Sequence, residues 1–207
     1  DSDDALAVAE ELMGFIQTQA HEASTQLARE RGVFPAYRGS RLQSGRKRWR
    51  NATVTTIAPT GTISIIADCS AGIEPLYGVH LVRTVMDGMT LSSLHPAFAR
   101  HAGRHGLALP SLQRELEQSA SIQHLTQLPA SLRQLFITAH DVSPSHHVRM
   151  QAAFQRHSDS GVSKTINLPP TATPQDVAEA FQLAHHLGCK GLTVFRSGSR
   201  HDQVLSC

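Results

Sequence analysis

Aromatic residues are scarce in this chain of 207 residues, where seven Phe, two Tyr and one Trp make up 5% of the sequence. A core must therefore be built mainly from Leu, Val, Ile and Ala, as is typical of helices packed on a sheet. Hydrophobic residues amount to 40%, which is enough to bury a core and excludes collagen, a coiled coil and general disorder. The composition predicts one domain of the α/β class.

Cysteine is also scarce. Cys69, Cys189 and Cys207 lie far apart and form no CxxC pair, so the sequence indicates neither a disulfide framework nor a thiolate zinc site. Such cysteine usage is typical of a reducing compartment, and we expect a cytoplasmic protein.

A charge excess and a long apolar run are absent too. The formal net charge is +2, which is too small for the overall field to attract nucleic acid or a membrane surface. No apolar run reaches the roughly 18–20 residues of a membrane span. The opening residues have no region typical of a signal peptide. The sequence starts with Asp1 rather than Met, and we expect it to be part of a longer protein.

A long helix and a basic loop are predicted first. Apolar residues separated by three and four positions favour a helix within residues 1–32, which Ser2 or Asp3 caps and Gly32 follows. Its buried stripe is expected at Ala5, Ala9, Leu12, Met13, Ile16, Ala20, Ala23 and Leu27. Gly, Ser and several Arg residues then predict an exposed, mobile loop over 33–52.

Residues 53–91 are predicted to contain a strand, a tight turn and a following segment. The run 53–58 is β-branched at most positions and favours a buried strand. It leads into the turn PTGTIS at residues 59–64 and the apolar run 63–67. Residues 92–160 are predicted to be helical, with three or four short helices that begin near Pro96, Pro110, Pro129 and Pro144.

Residues 161–200 have the order and length of a βαβ unit with a right-handed crossover, and residues 201–207 form a tail. Strands are expected at 163–169 and 190–196, with a helix between them that Thr173 caps and Gly188 follows. The buried face of this helix is expected at Val177, Ala180, Phe181, Ala184 and Leu187.

The turn at residues 59–64 is the segment most informative about function. A strand that ends in Thr-Gly-Thr before a helix start presents N–H groups without intrahelical partners, and such groups attract anions. Gly61 lets the backbone approach a phosphate closely, and the hydroxyls of Thr60, Thr62 and Ser64 add donors. The alternative is an ordinary turn whose hydroxyls cap a helix, because the longer Gly-Lys-Ser/Thr phosphate loop is missing.

The thirteen histidines do not indicate a metal site. His101 and His105 share a helix face, but no Glu follows the first as in the zincin pattern, and no third ligand is placed. The doublets at 146–147 and 185–186 direct adjacent rings apart. We expect packed or solvated histidines and no metal.

The basic cluster at residues 46–50 is compatible with nucleic-acid or nucleotide binding, and Trp49 within it resembles a stacking element. A charge run this short is more typical of a solvated face. Asp68 and Glu74, which lie near the turn in sequence, are expected to position other groups, because a carboxylate beside a phosphate repels it. Cys69 is expected to be a buried, unreactive residue unless it lies at a helix N-terminus.

Three separated segments resemble one protein family. They are RNATVTTIAPTGTISIIADCSAGIEPLYGVHLVR (50–83), VSKTINLP (162–169) and LGCKGLTVFRSGSR (187–200). In this order they resemble the C-terminal part of the adenosylcobalamin-dependent (class II) ribonucleotide reductases. The opening helix through FPAYRGS and the segment AHDVSPSHHVRMQAAFQRHSDSGVSKT also resemble that family, so the resemblance covers nearly the whole chain.

The resemblance implies an enzyme that replaces the 2′-OH of a ribonucleotide by hydrogen. A thiyl radical, formed when the cobalt–carbon bond of adenosylcobalamin breaks, starts this reaction in the family. The implied fold is the C-terminal part of a ten-stranded α/β barrel made of two half-barrels, with the radical cysteine on a central loop. Residues 190–196 match a late strand of that barrel.

The resemblance also implies site residues. Those that match the family's substrate-phosphate turn are Pro59, Thr60, Gly61, Thr62, Ile63 and Ser64, and the segment with Glu74 and Pro75 follows near the site. The family's radical triplet, Asn-x-Cys-x-Glu, does not occur here. We expect that triplet upstream, assign its role to none of the three cysteines, and expect the isolated segment to be inactive.

The implied partners are a ribonucleoside di- or triphosphate, the N-terminal remainder of the enzyme, and a thioredoxin-like or other thiol reductant. No membrane or nucleic-acid partner is implied. The open strand edges of a partial barrel predict self-association or a homodimer. The alternatives are a non-catalytic nucleotide- or nucleic-acid-binding module that uses residues 46–50, and a glycyl-radical enzyme, which the absence of its motif near the chain end disfavours.

Overall fold

The computed structural model of the chain describes residues 1–45, 47–67, 69–85, 89–199 and 205–206. Their α-helices are α1 (Asp3–Arg31), α2 (Gly61–Ile66), α3 (Pro96–Arg104), α4 (Leu109–Gln118), α5 (Ala130–Leu135), α6 (Pro144–Gln155) and α7 (Pro174–His186). Two short 3-10 helices, Pro35–Tyr37 and Arg41–Ser44, lie within the segment predicted to be a loop. The strands are β1 (His80–Val85), β2 (Met89–Leu94), β3 (Thr165–Leu168), β4 (Thr193–Arg196) and β5 (Leu205–Ser206). This mixture of helices and strands confirms the predicted α/β class.

The first helix forms as predicted. The Ser2 hydroxyl accepts a hydrogen bond from the Ala5 amide at 3.2 Å, which caps one of the free amides of the first turn. The chain leaves α1 at Gly32, whose φ of 80° lies in the left-handed region. The predicted stripe is only partly buried, because Leu12 and Ile16 are exposed while Ala9 and Met13 lie inside.

A close approach at one end of α6 explains the narrow buried face of α1. A Cβ atom added to Gly14 would lie 3.6 Å from the His157 ring, so the helix approaches its neighbour through small residues. Three of the four buried positions of α1 are small, namely Ala9, Ser24 and Ala28, and the fourth is Met13. Most of the larger apolar residues of α1, such as Leu12 and Ile16, remain exposed.

Two sheets are present among the described residues. One has the order β2-β1-β5, with antiparallel pairing of His80 with Leu94 and of Val82 with Ser206. This sheet, which includes part of the expected tail 201–207, was not predicted. The sequence signal for its first two strands is the dipeptide Asp87-Gly88, which is typical of hairpin turns, after a run that contains Val82, Thr84 and Val85.

The predicted strand over 53–58 is reduced to an extended segment with one parallel bridge, between Ile57 and Val162. The Ile57 amide donates to the Gly161 carbonyl at 3.1 Å, and the Ser163 amide donates to the Ile57 carbonyl at 2.8 Å. Earlier in the segment the Val54 amide donates to the Asp159 carboxylate instead, at 2.9 Å. Because a side chain takes this donor, the backbone ladder is too short to form a regular strand.

The central region contains four short helices that begin at or next to proline residues, where three or four were predicted. Pro96 and Pro144 are the first residues of α3 and α6, and Pro129 and Pro110 lie at the starts of α5 and α4. Helices α3 to α5 enclose one core, whose fully buried members include Phe98, Leu116, Ile122, Leu128 and Leu132. None of the helices in the described ranges combines the length and apolar character needed to span a bilayer.

The predicted βαβ unit is present over residues 165–196. Strands β3 and β4 pair in parallel from Thr165 with Thr193 to Leu168 with Arg196. The Thr173 hydroxyl and the Asp176 side chain form a reciprocal capping box at the start of α7. On α7 the side chains of Ala180 and Ala184 are buried as predicted, in a cluster that also contains Val148 of α6 and Ile166 of β3. Phe181, however, is 50% exposed, because it lies beyond the edge of this narrow face.

A comparison of two leucines on α5 tests the helical core. Leu132 is 1% exposed and Leu135 is 58% exposed. We expect Leu132→Ala to lower the free energy of unfolding by about 2–5 kcal/mol, since it leaves a cavity. The same substitution at Leu135 should change it by less than about 0.5 kcal/mol. Urea denaturation followed by circular dichroism measures both values, and equal effects would contradict the placement of α5.

Candidate functional site

The turn at residues 59–64 forms the start of α2. The first backbone hydrogen bond of this helix runs from the Ser64 amide to the Thr60 carbonyl at 2.9 Å. The Ser64 hydroxyl donates to the Gly61 carbonyl at 2.7 Å, and Ser64 is buried. The sequence interpretation that a helix starts here is confirmed. The hydroxyl of Ser64 is engaged within the turn and fixes its shape.

Thr60 has an unusual backbone conformation. Its φ of 51° lies in the left-handed region, and among the described residues it is the one non-glycine residue with a positive φ. A β-branched side chain in this region costs roughly 1–2 kcal/mol. Such conformations persist where surrounding structure enforces them, and they concentrate at ligand-binding sites.

The amides of Gly61, Thr62 and Ile63 have no hydrogen-bond acceptor among the described residues. All three residues are exposed. Pro59, also exposed, has no amide hydrogen to place there. The turn therefore presents three uncommitted backbone donors in succession, which is an arrangement that binds anions.

The segment Gly72–Pro75 lies directly against this turn. Gly72 has a φ of 51°, and a Cβ atom added to it would lie 3.1 Å from the Ala58 carbonyl oxygen and 3.9 Å from Thr60 Oγ1. A residue with a side chain would therefore crowd the Ala58 carbonyl, and the backbone before the turn would have to shift by a few tenths of an ångström. The contact at Gly72 agrees with the prediction that this segment is close to residues 59–64. Pro75, at the end of the segment, is half-buried.

A buried ionic network holds Glu74. Its Oε1 accepts from the Thr165 amide at 2.6 Å, and its Oε2 accepts from Lys164 Nζ at 3.2 Å. Lys164 also donates to His147 Nδ1 at 2.8 Å and to the Thr165 carbonyl at 3.3 Å. The expected positioning role of Glu74 fits these contacts. Lys164 and His147 were not singled out from the sequence, because Lys164 stands between Ser163 and Thr165 just before β3 and carries no local signal of a network.

The network has a defined protonation pattern. His147 Nε2 lies 3.0 Å from the Ala139 carbonyl oxygen, so Nε2 carries the proton and Nδ1 accepts from Lys164. Burial and the neighbouring Lys164 charge lower the pKa of His147 to about 4. Burial also lowers the pKa of Lys164, while the Glu74 carboxylate opposes this shift. A neutral imidazole beside an ion pair is the arrangement that results.

A second polar cluster joins α1 to the extended segment before the turn. Asp159 accepts hydrogen bonds from His21 Nε2 at 2.8 Å and from the Val54 amide at 2.9 Å. Partial burial raises the pKa of Asp159, but the bonds from Val54 and His21 outweigh it and leave the pKa below its ordinary value. This cluster anchors the chain that leads to residue 59.

Part of the basic loop is exposed and part of it is held against the rest of the protein. Lys47 and Arg48 are exposed, whereas Trp49 packs edge-on against His21 with ring centroids 4.7 Å apart. The Trp49 carbonyl accepts from the Phe34 amide at 3.1 Å. Arg46 lies outside the described residues. The expected exposure of the loop is confirmed at Lys47 and Arg48. Trp49, in contrast, contacts His21 within the protein.

The remaining candidates lie apart from the turn. Cys69 is exposed, which corrects the expectation of a buried residue, and it follows the C-terminal end of α2 rather than a helix N-terminus. Burial raises the pKa of the Cys189 thiol. Asp68 and Cys207 lie outside the described residues.

The histidines are dispersed as packed or solvated side chains. His146 and His147 are buried, and His185 and His186 are exposed. Among the described residues, no group of three or more His, Cys, Asp or Glu side chains is placed to hold a metal ion.

Comparison with known proteins matches this architecture. The family model for the ribonucleotide reductase barrel domain matches residues 1–195. A vitamin B12-dependent ribonucleoside-diphosphate reductase of Thermoplasma acidophilum is 44% identical over 98% of this chain and 26% of its own length. A protein of the same name from Mycobacterium tuberculosis is 46% identical over 100% of this chain and 30% of its own length.

A solved structure shows the same fold. The class Id ribonucleotide reductase alpha subunit of Actinobacillus ureae superposes with a TM-score of 0.76 at 23% sequence identity, over 96% of this chain and 35% of that one. The predicted ribonucleotide reductase-like fold is thus confirmed. The chain spans less than a third of the length of these two curated relatives. On the match of residues 1–195, the chain belongs to the ribonucleotide reductase barrel-domain family.

Proposed function

We propose that this chain is the segment of a vitamin B12-dependent ribonucleotide reductase that holds the phosphates of the substrate. The observation that carries the proposal is the exposed run of free amides at Gly61, Thr62 and Ile63, which follows the strained Thr60. The two relatives described above are named as reductases of ribonucleoside diphosphates. On this basis we propose a diphosphate rather than a triphosphate substrate.

The turn is suited to a pyrophosphate group. Successive backbone N–H groups at a helix start donate to phosphate oxygens without bringing a counter-charge that must lose its hydration. The hydroxyls of Thr60 and Thr62 supply two further donors at the same edge. Ser64, whose hydroxyl is bound to Gly61, keeps the turn in shape. Holding the phosphates fixes the ribose relative to the reacting thiol, which is the positioning that a radical reaction requires.

Adenosylcobalamin is the proposed cofactor of the complete enzyme, where it supplies the radical that starts the reaction. The described part of this chain has two open grooves, of about 400 and 340 Å³. One lies along α1 beside Lys47, and the other lies beside Pro59 and Lys190. The proposal assigns no cobalamin contact to either groove.

The radical cysteine is proposed to lie in another part of the enzyme. The triplet Asn-x-Cys-x-Glu does not occur in this sequence, and burial keeps Cys189 in the thiol form. The isolated segment should accordingly be inactive. A thioredoxin-like or other thiol reductant, the N-terminal remainder of the enzyme, a homodimeric state and a cytoplasmic location complete the proposal.

Removal of the two threonine hydroxyls tests the phosphate site. In the complete reductase, Thr60→Ala with Thr62→Ala should raise the Kd for cytidine diphosphate by roughly tenfold or more, because two hydrogen bonds to a charged group are lost. Isothermal titration measures this constant, and the affinity for cobalamin should not change. Thr56→Ala is the control, since the Thr56 hydroxyl already donates to the Gly161 carbonyl. An unchanged affinity for cytidine diphosphate would disprove the assignment.

Thr60→Gly separates backbone strain from binding. Glycine relieves roughly 1–2 kcal/mol of strain at φ 51° and loses about 0.5–1 kcal/mol through its greater freedom in the unfolded chain. The free energy of unfolding should therefore stay equal or rise slightly, while nucleotide affinity falls roughly tenfold. Thr53→Gly, in the exposed extended segment, should lower stability and leave affinity unchanged. Chemical denaturation measures the free energy of unfolding of each variant, and titration measures its nucleotide affinity. A marked loss of stability in Thr60→Gly would show that Thr60 is not strained.

Oligonucleotide binding tests the alternative of a nucleic-acid module. We expect little filter retention of a labelled oligonucleotide, because Trp49 is packed against His21 and the net charge is only +2. A true nucleic-acid module would instead bind tightly at about 50 mM salt and lose affinity steeply by about 200 mM. Observation of that steep dependence would favour the alternative.

A further inference from the structure

The side chain of Lys164 is almost completely buried, with 2% of its surface exposed. Its ammonium group has three hydrogens, and three acceptors surround it: Glu74 Oε2, His147 Nδ1 and the Thr165 carbonyl. No donor is left over for a ligand. Any influence of Lys164 on a bound nucleotide must therefore pass through the residues that it holds.

Glu74 connects Lys164 to the loop beside the phosphate turn. Both of its carboxylate oxygens are engaged by the sheet, one by Lys164 Nζ and the other by the Thr165 amide. The same loop is fixed further along, where the Leu76 carbonyl accepts from the Ala139 amide at 2.7 Å. Ala139 also accepts from His147. The network thus ties the loop to β3 and to α6 at once.

The loop that contains Gly72 and Glu74 lies in close contact with the residues at the start of the 59–64 turn. Gly72 approaches the Ala58 carbonyl so closely that a Cβ atom would lie 3.1 Å away, and its other neighbours are Ile57 and Thr60. A displacement of the loop would free space beside Thr60. The strained φ of Thr60 would then be able to relax, because such a conformation persists only while its surroundings enforce it.

We propose that Lys164 is a positioning residue for nucleotide binding, which holds Glu74 so that the loop at Gly72 keeps the 60–63 turn in its binding conformation. This inference rests on the proposed function of the turn. A buried ion pair is seldom needed for stability, since an apolar pair of similar size often folds equally well. Its retention here is explained by the fixed geometry that charged hydrogen bonds impose on the carboxylate.

The test uses two variants of the complete reductase. Lys164→Met removes the ammonium group and leaves Glu74 without its charge partner. Lys164→Met with Glu74→Gln removes both charges, which restores electrical balance and should restore the melting temperature. Both variants should raise the Kd for cytidine diphosphate roughly tenfold, because a displaced turn would lose about one of its own hydrogen bonds to the charged phosphate. The Kd for cytidine, which carries no phosphate, should not change. In steady-state assays KM should rise while kcat stays within about twofold.

The matched control is Lys47→Met, which removes the same charge from the exposed loop and should leave both constants unchanged. The inference is overturned if the double variant binds cytidine diphosphate as the parent does, or if cytidine affinity falls by the same factor. Other results would disprove the proposed function of the turn. These are a parent enzyme that binds cytidine diphosphate no more tightly than cytidine, or an unchanged Kd for cytidine diphosphate in Thr60→Ala with Thr62→Ala. The double variant keeps the test decisive where Lys164→Met alone does not fold.

Discussion

The carboxylate of Glu74 is the contact on which the arrangement of the site depends. It joins three pieces of chain that are distant in sequence: the loop after α2, the start of β3 and, through Lys164, the buried face of α6. A carboxylate that accepts from both an ammonium group and a backbone amide has little freedom to rotate. The backbone two residues earlier, at Gly72, is fixed for that reason, and Gly72 limits the space beside Thr60.

The protonation state of His147 makes this contact possible. An imidazolium beside Lys164 would place two positive charges in a buried space. Burial and the Lys164 charge lower the pKa of His147 to about 4, so the ring is neutral near neutral pH. The neutral ring donates to Ala139 and accepts from Lys164, so that each polar atom of the ring has a partner. Stability linked to this histidine should therefore decline as the pH falls from about 6.5 towards 4, where the unfolded chain takes up a proton that the folded chain does not.

The sequence predicts the elements whose signals are local. The caps at Ser2 and Thr173, the proline residues at the helix starts and the glycine after α1 depend on a few neighbouring residues, and each is found as expected. Burial of Leu12 and Phe181 was predicted wrongly, because helical spacing shows that a face is apolar but not which elements cover it. The strand at 53–58 is shortened for a similar reason, since Asp159, more than a hundred residues later, takes the amide of Val54.

The candidate site shows the same division between local and distant information. The free amides at 61–63 follow from the short motif PTGT, which is legible without any structure. The ion pair between Lys164 and Glu74 cannot be predicted from a short motif, because the two residues are ninety positions apart in the sequence. Strain at Thr60 reduces stability, and a buried ion pair contributes little to it when considered alone. Under the proposed phosphate-binding role, the two together would hold three donors in place before an anion arrives, so that binding would not supply the free energy of ordering the turn.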